Sequence, residues 1–292
     1  MSSALAAVVL LSACGRGDDG RILPPETVVT QEPPPTFDGS LEPSAAVLPL
    51  VPDSARVLTV TDFEQVRHQM GLPELTTADE RAEREAFWAR AEAERPLLST
   101  GMLRGVEPRL TREHGLSQLD VAWEAHFDSD GFVLAFRDGT DMAAVQDAVD
   151  AGLAGLEGAE VDAERGLLSR GTTGVGEESW VADADVRELV GQPADATYLG
   201  RGCVDGPSSG DLDDLVAYSI QFEGRLVTVR LGAGRTDLFE RMRAGSADPA
   251  FAEAFDGGAA DPLTGRIGYV MTDPAAAAAL ALGQELPFAA CP

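Results

Sequence analysis

Apolar and polar residues alternate with a period of two in two stretches of the chain. Val121–Phe136 is interrupted at residues 128–131 by Asp-Ser-Asp-Gly, and Val216–Leu231 is interrupted at residues 223–225 by Glu-Gly-Arg. Alternation on both sides of a short turn rich in Asp and Gly is typical of an antiparallel β-hairpin. The sequence therefore predicts two hairpins, one in each half of the chain.

Helices are predicted where apolar residues recur every three or four positions after a capping residue. Thr77 and Glu80 match a capping box that opens a charged helix ending at Arg95. Asp141 and Asp237 each follow a Thr, and each begins a predicted helix directly after a hairpin.

The order of hairpin, Thr-Asp cap and helix therefore occurs twice. A strand leading into a cap also recurs, because Val57–Asp62 resembles Ile267–Asp273, with Ser179–Asp185 as a weaker third copy. We predict an α+β fold with two related lobes, each an antiparallel sheet with helices on one face. The lobes are residues 54–170 and 171–292, divided near the Gly-rich stretch 171–176. The alternative is that unrelated α+β proteins also repeat ββα units.

The N-terminal residues carry a second kind of pattern. Residues 4–13 form an uncharged run, which has the length of a signal-peptide core and is too short to span a bilayer. The run ends in Leu11-Ser12-Ala13-Cys14, which resembles the lipobox of bacterial lipoproteins. The resemblance implies that residues 1–13 are a signal peptide and that Cys14 is diacylated and anchors the protein to the outer face of the cell membrane.

This N-terminus resembles that of lipoproteins from high-GC Gram-positive bacteria, a likeness that implies no activity and no site residues. Met1-Ser2-Ser3 lacks the positive charge of a signal peptide, which a start codon further upstream would explain. The alternative is that residues 4–14 begin an ordinary buried helix and that the Cys is there by chance.

If Cys14 carries lipid, Cys203 and Cys291 remain in an oxidising compartment, and we predict that they form a disulfide. Two buried free thiols are the alternative.

Between the anchor and the first lobe, residues 14–53 are rich in Pro and acidic residues, so we predict a disordered tether.

The chain has 49 acidic and 22 basic residues, a net charge of −27, and every basic residue is Arg. The absence of Lys and Asn indicates a GC-rich genome. A field of this sign repels phosphate backbones, so we expect no nucleic-acid partner. Because anionic headgroups are repelled as well, membrane attachment depends on the lipid at Cys14.

The remaining motifs do not predict catalysis. Gly206–Gly210 fits G-x-S-x-G, but an acidic loop surrounds it and no His follows it in the chain. The three His residues lack ligand-like spacing, so we predict no metal, no cofactor and no catalytic residue. Carboxylate pairs for glycosidase chemistry are inevitable among 49 acidic residues and carry no information without coordinates.

One aromatic group is the candidate ligand site. Phe87 and Trp88 lie on the charged helix, while Trp123 and His126 lie on the first hairpin. If the helix covers the sheet, these side chains could line a pocket; the alternative is that Phe87 and Trp88 simply attach the helix to the core.

We therefore expect a lipid-anchored envelope protein that binds a small ligand or an envelope partner without catalysis. A hydrolase of cell-wall or extracellular polymer that uses acidic residues is the second hypothesis, and a structural spacer is the third.

Overall fold

Ten strands form the centre of the protein. A computed structural model describes residues 36–128, 130–173, 178–205 and 212–292. The strands are β1 Val57–Asp62, β2 Val121–Phe127, β3 Gly131–Phe136, β4 Glu160–Asp162, β5 Leu167–Arg170, β6 Ala196–Arg201, β7 Ala217–Glu223, β8 Leu226–Arg230, β9 Phe255–Asp261 and β10 Arg266–Met271. The hairpins β2–β3 and β7–β8 are those that the sequence predicts.

All ten strands belong to one antiparallel sheet, in the order β4-β5-β3-β2-β1-β6-β7-β8-β10-β9. The expectation of mixed helix and strand with antiparallel pairing is confirmed. However, the sheet is continuous, because β1 and β6 pair over five residues in the middle of the order. We call β1–β5 the first half-sheet and β6–β10 the second half-sheet. Residues from 36 onward lie in one compact unit.

Nine α-helices lie in the described residues. They are α1 Pro43–Ala46, α2 Phe63–Gln69, α3 Arg81–Glu94, α4 Glu107–His114, α5 Met142–Asp150, α6 Ala184–Glu188, α7 Leu238–Ala247, α8 Pro249–Ala254 and α9 Pro274–Leu282. None of the helices in the described ranges is long and apolar enough to cross a membrane.

One face of the sheet, here the helical face, is covered along both half-sheets. Helices α2 to α5 pack their apolar side chains on the first half-sheet, and α7 to α9 pack theirs on the second. The alternation of the strands supplies the matching surface, for example Phe132 and Leu134 on β3 and Val227 and Val229 on β8.

The opposite face is covered over the first half-sheet and as far as β6 and β7, but not over β8 to β10. The covering layer, residues 45–51 and 180–190, buries Leu58, Val60 and Val133 beneath it. Residues 180–190 belong to the predicted second lobe by sequence, yet they pack on the first half-sheet.

This layer also corrects the predicted tether. Residues 14–35 lie outside the described part of the chain, but Val47 and Val51 are fully buried. The prolines did not prevent folding, since Pro43 and Pro49 occupy the first turns of α1 and of the 3-10 helix Leu48–Leu50. A first-turn proline costs nothing because its missing N–H would have no helical partner. The folded part therefore begins before residue 53.

Several local predictions also need correction. Thr77 does not cap α3; its hydroxyl bonds to Ser117 and Asp120. The strand β1 lies at the centre of the sheet and β10 lies next to an edge, so the segments Val57–Asp62 and Ile267–Asp273 do not hold equivalent positions. Ser179–Asp185 contains a 3-10 helix instead of a strand.

The C-terminus is fastened to the second half-sheet. Cys203 and Cys291 lie at disulfide-bonding distance, with 1.96 Å between their sulfur atoms, as the sequence predicts. Beside them the fully buried Arg241 donates to the carbonyl oxygens of Phe288 and Ala290 at 2.9 and 3.0 Å. Its Nε donates to Asp237 at 2.6 Å. Burial opposes ionisation of this carboxyl, but hydrogen bonds from Arg235 and Arg241 hold the pKa of Asp237 at about 2.

Candidate ligand-binding groove

The uncovered face of the second half-sheet carries polar side chains where the first half-sheet carries apolar ones. Strand pairing sets the register, so residues from neighbouring strands form rows that cross the sheet. One row contains, from the first half-sheet to the edge, Phe127, Leu58, Leu199, Ser219, Arg230, Arg266 and Asp261. The adjacent row contains Ala125, Val60, Thr197, Gln221, Thr228, Gly268 and Ala259.

Two arginines face each other in the first of these rows. Arg230 of β8 and Arg266 of β10 are direct cross-strand partners, which places their Cβ atoms about 5 Å apart. Within the described part of the chain, neither guanidinium lies within 4 Å of a carboxylate oxygen. Burial, together with the charge of Arg266, lowers the pKa of Arg230 from its ordinary value. Like charges in this position destabilise a sheet. Asp261, the cross-strand partner of Arg266 on its other side, offsets part of this cost, since the hydrogen bond from Thr264 and, less strongly, the charge of Arg266 lower the pKa of Asp261.

The buried amide of Gln221 completes the polar group. Its Oε1 accepts a hydrogen bond from Arg230 Nε at 3.0 Å. Its Nε2 is buried and has no hydrogen-bond partner in the described residues. The side chain is only 4% exposed, so an unpaired donor at this position carries a desolvation cost.

These residues line a groove of about 380 Å³. Gln192 and Pro193 form one wall, and residues 259–261 of β9 form the other. Gly268 leaves room in the groove because it has no side chain. An added Cβ would occupy the groove and would have Ala259 O, 3.9 Å away, as its nearest neighbour. The volume is at the lower end of that of small-molecule sites.

Two carboxylates lie at the rim of the groove. Asp261 accepts hydrogen bonds from Leu263 N at 3.1 Å and Thr264 Oγ1 at 2.7 Å, which hold it in the β9–β10 turn. Glu223 lies at the far end of β7. The groove therefore presents donors on its floor and acidic groups only at its edges.

A second depression, of about 560 Å³, lies at the tip of the β2–β3 hairpin. The guanidinium of Arg170, which lines this depression, already has partners within the protein. It donates to the carbonyl oxygens of Asp130 and Glu157 and lies 4.9 Å from the ring centre of Phe132. Because these groups satisfy one another, this depression offers less to a ligand than the groove does.

The four side chains of the aromatic hypothesis do not meet in one pocket. Phe87 and Trp88 are buried on the helical face, where their ring centres lie 4.8 Å apart and Trp88 packs edge-on against Phe63 at 5.6 Å. This packing attaches α3 to the core. Trp123 is buried on the opposite face, under the covering layer, whereas His126 lies on the helical face.

His126 instead belongs to a polar cluster around Glu124. This carboxylate is fully buried and accepts from Met102 N at 3.1 Å and Gln118 Nε2 at 3.2 Å. It also contacts Ser99 Oγ, and His126 Nε2 at 3.2 Å. In a catalytic triad the serine hydroxyl bonds to the imidazole, and the imidazole bonds to the carboxylate. Here Ser99 bonds to the carboxylate directly, so the cluster is not arranged as a triad. The cluster fastens residues 99–102 to β2.

Two carboxyls have strongly raised pKa values, the property that acid catalysis by a hydrolase would require. Burial raises the pKa of Glu42 to about 7 and that of Asp62 to about 6. Glu42 accepts from Ser44 N at the start of α1, and Asp62 accepts from Gln65 N at the start of α2. Both are helix caps, and neither lines either of the two depressions described above.

Two sequence-derived sites cannot be located on the fold, since Cys14 and the Gly206–Gly210 motif lie outside the described residues. In the described ranges no group of three or more His, Cys, Asp or Glu side chains is arranged to hold a metal ion. The groove was not among the predicted sites. Its signal was the alternation of Thr228 and Arg230 with Val227 and Val229, which predicts one polar face on β8.

Comparison with known proteins gives no match: no family model, no curated protein and no solved structure is similar to this chain.

Proposed function

We propose that this chain is an exported lipoprotein, anchored by acyl chains on Cys14, whose folded part binds a ligand in the groove of the second half-sheet. The anchor is supported by the lipobox-like residues 11–14 and by the Cys203–Cys291 pair, since disulfides persist in oxidising compartments. The location on the outer face of the membrane follows from the anchor. A small ligand is favoured over an envelope protein as partner, because the groove is small and walled on two sides.

The observation that carries the binding role is the unpaired state of the groove's own polar groups. Arg230 and Arg266 form no ion pair within 4 Å in the described residues, although Asp261 lies opposite Arg266, and the buried amide donor of Gln221 lacks an acceptor. Gln221 Nε2 is one of ten buried side-chain atoms without a partner in the described residues, and Gln221 alone among those residues lines the groove, where a ligand could supply the missing acceptor.

The binding role is tested with a variant that fills the groove. Gly268→Leu adds a side chain to the floor, where the new Cβ would have Ala259 O at 3.9 Å as its nearest neighbour, and Val270→Leu adds bulk on the same strand outside the groove as a control. Each purified protein is dialysed against a small-molecule extract of the producing culture, and retained compounds are identified by mass spectrometry. We expect compounds that wild type and Val270→Leu retain and that Gly268→Leu loses. Equal retention by all three proteins would contradict a ligand site here.

The anchor has a separate test in cells fed radiolabelled palmitate. We expect labelled wild-type protein in the membrane fraction and an unlabelled Cys14→Ala variant in the medium. Ser12→Ala keeps a small residue in the lipobox and should stay labelled. Label on Cys14→Ala would exclude this cysteine as the lipid acceptor.

We also propose that the two half-sheets are related by duplication. Counted outward from the centre of the sheet, one half-sheet has the order β1, β2, β3, β5, β4 and the other has the order β6, β7, β8, β10, β9. In both, the fourth and fifth strands are exchanged relative to their order in the chain. In each, a hairpin is followed by the equivalent helices α5 and α7, which begin after Thr-Asp. Superposition of β1–β5 with α5 on β6–β10 with α7 tests this relation: the same hand of the hairpin–helix unit in both would support it, and an opposite hand would contradict it.

A further inference from the structure

The charge balance of the groove restricts what it can bind. The two guanidiniums of Arg230 and Arg266 are cross-strand neighbours, and burial keeps Arg230 at only 8% exposure. Guanidinium groups form their strongest bonds with carboxylates and phosphates, through paired parallel N–H groups. A single negative charge would neutralise the buried Arg230. A second negative charge within about 5 Å would neutralise the part of the Arg266 charge that Asp261, its cross-strand partner, does not offset.

The amide of Gln221 fixes where an acceptor atom must lie. Because Oε1 is held by Arg230 Nε, the free Nε2 can only donate. An oxygen of the ligand between Gln221 and Arg230 would satisfy this donor. The Thr228 hydroxyl lines the same floor and supplies a further hydrogen-bonding group.

The size of the groove and the charge of the whole protein exclude large anions. A volume of about 380 Å³ fits a small molecule. The net charge of −27 repels polyanions such as nucleic acid over long distances, while a compact anion experiences mainly the local field of the arginine pair.

We infer that the groove binds a small hydrophilic dianion, whose two charges belong to one phosphoryl group or to two carboxylates of a short diacid. Arg230 and Arg266 each neutralise one charge, and Gln221 donates to an oxygen of the ligand. This inference rests on the proposed binding role of the groove and names the class of its ligand.

The test uses the whole folded chain with three probes at matched ionic strength: inorganic phosphate, succinate and acetate. Affinity is measured by calorimetry and by the rise in melting temperature, since a ligand that binds only the folded state raises it. We expect phosphate or succinate to bind, and whichever does so identifies the source of the two charges. Acetate, as a monoanion, should bind at least tenfold more weakly.

Arg266→Gln separates binding from stability. This exposed substitution removes one like charge beside Arg230 but also the attraction to Asp261, so without ligand it should melt within roughly 2 °C of Arg56→Gln, which removes an exposed arginine that forms no ion pair in the described residues. Its affinity for the dianion should fall roughly ten- to a hundred-fold, as loss of a charge-assisted bond predicts. Gln221→Met, which keeps the shape and removes the donor, should also weaken binding.

The outcomes distinguish this inference from the proposed function. Acetate binding as tightly as the dianions would contradict the dianion class. If none of the three anions binds, but an uncharged or cationic compound is retained by wild type and lost in Gly268→Leu, the ligand class is wrong and the binding role stands. If no anion binds and no compound is retained, both are wrong.

Discussion

The two half-sheets share a strand order and a helical face but differ on the opposite face. Over the first half-sheet, residues 45–51 and 180–190 cover the strands, and the residues beneath them are apolar. Over the second, the covering layer ends at β7, where Ser219 Oγ donates to Leu189 O at 2.7 Å. Beyond that point the same rows of the sheet carry Gln221, Arg230 and Arg266.

The difference shows how one architecture can combine a half-sheet that is buried on both faces with one that is partly open to solvent. The first half-sheet is buried on both faces and follows the apolar pattern of a central layer. Beyond β7 the second half-sheet is free on one face and can expose polar groups that a covered face would not tolerate. Its remaining stability must come from the helical face and from the fastening of the C-terminus by Cys291 and Arg241.

The largest expected effect therefore comes from removing the disulfide in the second half. The Cys203–Cys291 bridge spans 88 residues in sequence. On the chain-entropy model its loss costs about 4–5 kcal/mol, because the unfolded chain gains freedom. We expect the double variant Cys203→Ser and Cys291→Ser to lose this amount in urea unfolding, with wild type under reducing conditions as the matched comparison. A loss below about 1 kcal/mol would show that Arg241 and the core hold the C-terminus without the bridge.

The covering layer of the first half-sheet is tested at Trp180. This side chain is fully buried between the layer and the strands, and its Nε1 donates to Ala55 O at 3.3 Å. Trp180→Ala should cost about 3–5 kcal/mol, the usual result of emptying such a site. Urea unfolding measures the loss, and a cost near zero would mean that the layer is not packed on the sheet in solution.

The difference between the two faces was only partly predictable from the sequence. The hairpins β2–β3 and β7–β8 were predictable because alternation and turn residues are local signals. The covering layer was not, since the prolines at 43 and 49 favoured a tether and their places in first helical turns depend on packing. Strand β9 was not predicted either: its sequence, Phe-Asp-Gly-Gly-Ala-Ala-Asp, has no alternation, and pairing with β10 defines it.

The same limit applies to the candidate site. Arg230 and Arg266 are 36 residues apart in sequence, and only the register of β8 with β10 makes them neighbours. The aromatic hypothesis failed for a reason already contained in the sequence. Trp123 and His126 differ by an odd number of positions on one strand, so a period of two places them on opposite faces.

A third prediction concerns the pH dependence of α1, which leads into the covering layer and is capped by Glu42. Burial raises its pKa from 4.5 to about 7 in the folded state, so the folded protein holds this proton more tightly than the unfolded chain does. The resulting stability is complete below about pH 4.5 and is lost as the pH rises to about 7, by at most about 3 kcal/mol. Glu42→Gln removes the ionisation and should be more stable than wild type at pH 8 by a similar amount.

Urea unfolding at pH 4.5 and pH 8 measures this difference between variant and wild type. Glu160→Gln, which removes a negative charge from the exposed strand β4, controls for the general repulsion in a protein of net charge −27. The burial of Glu42 would be refuted by equal effects of the two substitutions at pH 8.

The smallest effect is expected on the uncovered face, next to the groove. Leu226 and Val270 are cross-strand partners there and are 61% and 41% exposed. Because neither loses much burial, Leu226→Thr and Val270→Thr should each change the free energy of unfolding by less than about 0.5 kcal/mol. The measurement is repeated at two protein concentrations tenfold apart. A cost above 1.5 kcal/mol that grows with concentration would mean that a second copy covers this face, and the contrast between the half-sheets would then hold only for the isolated chain.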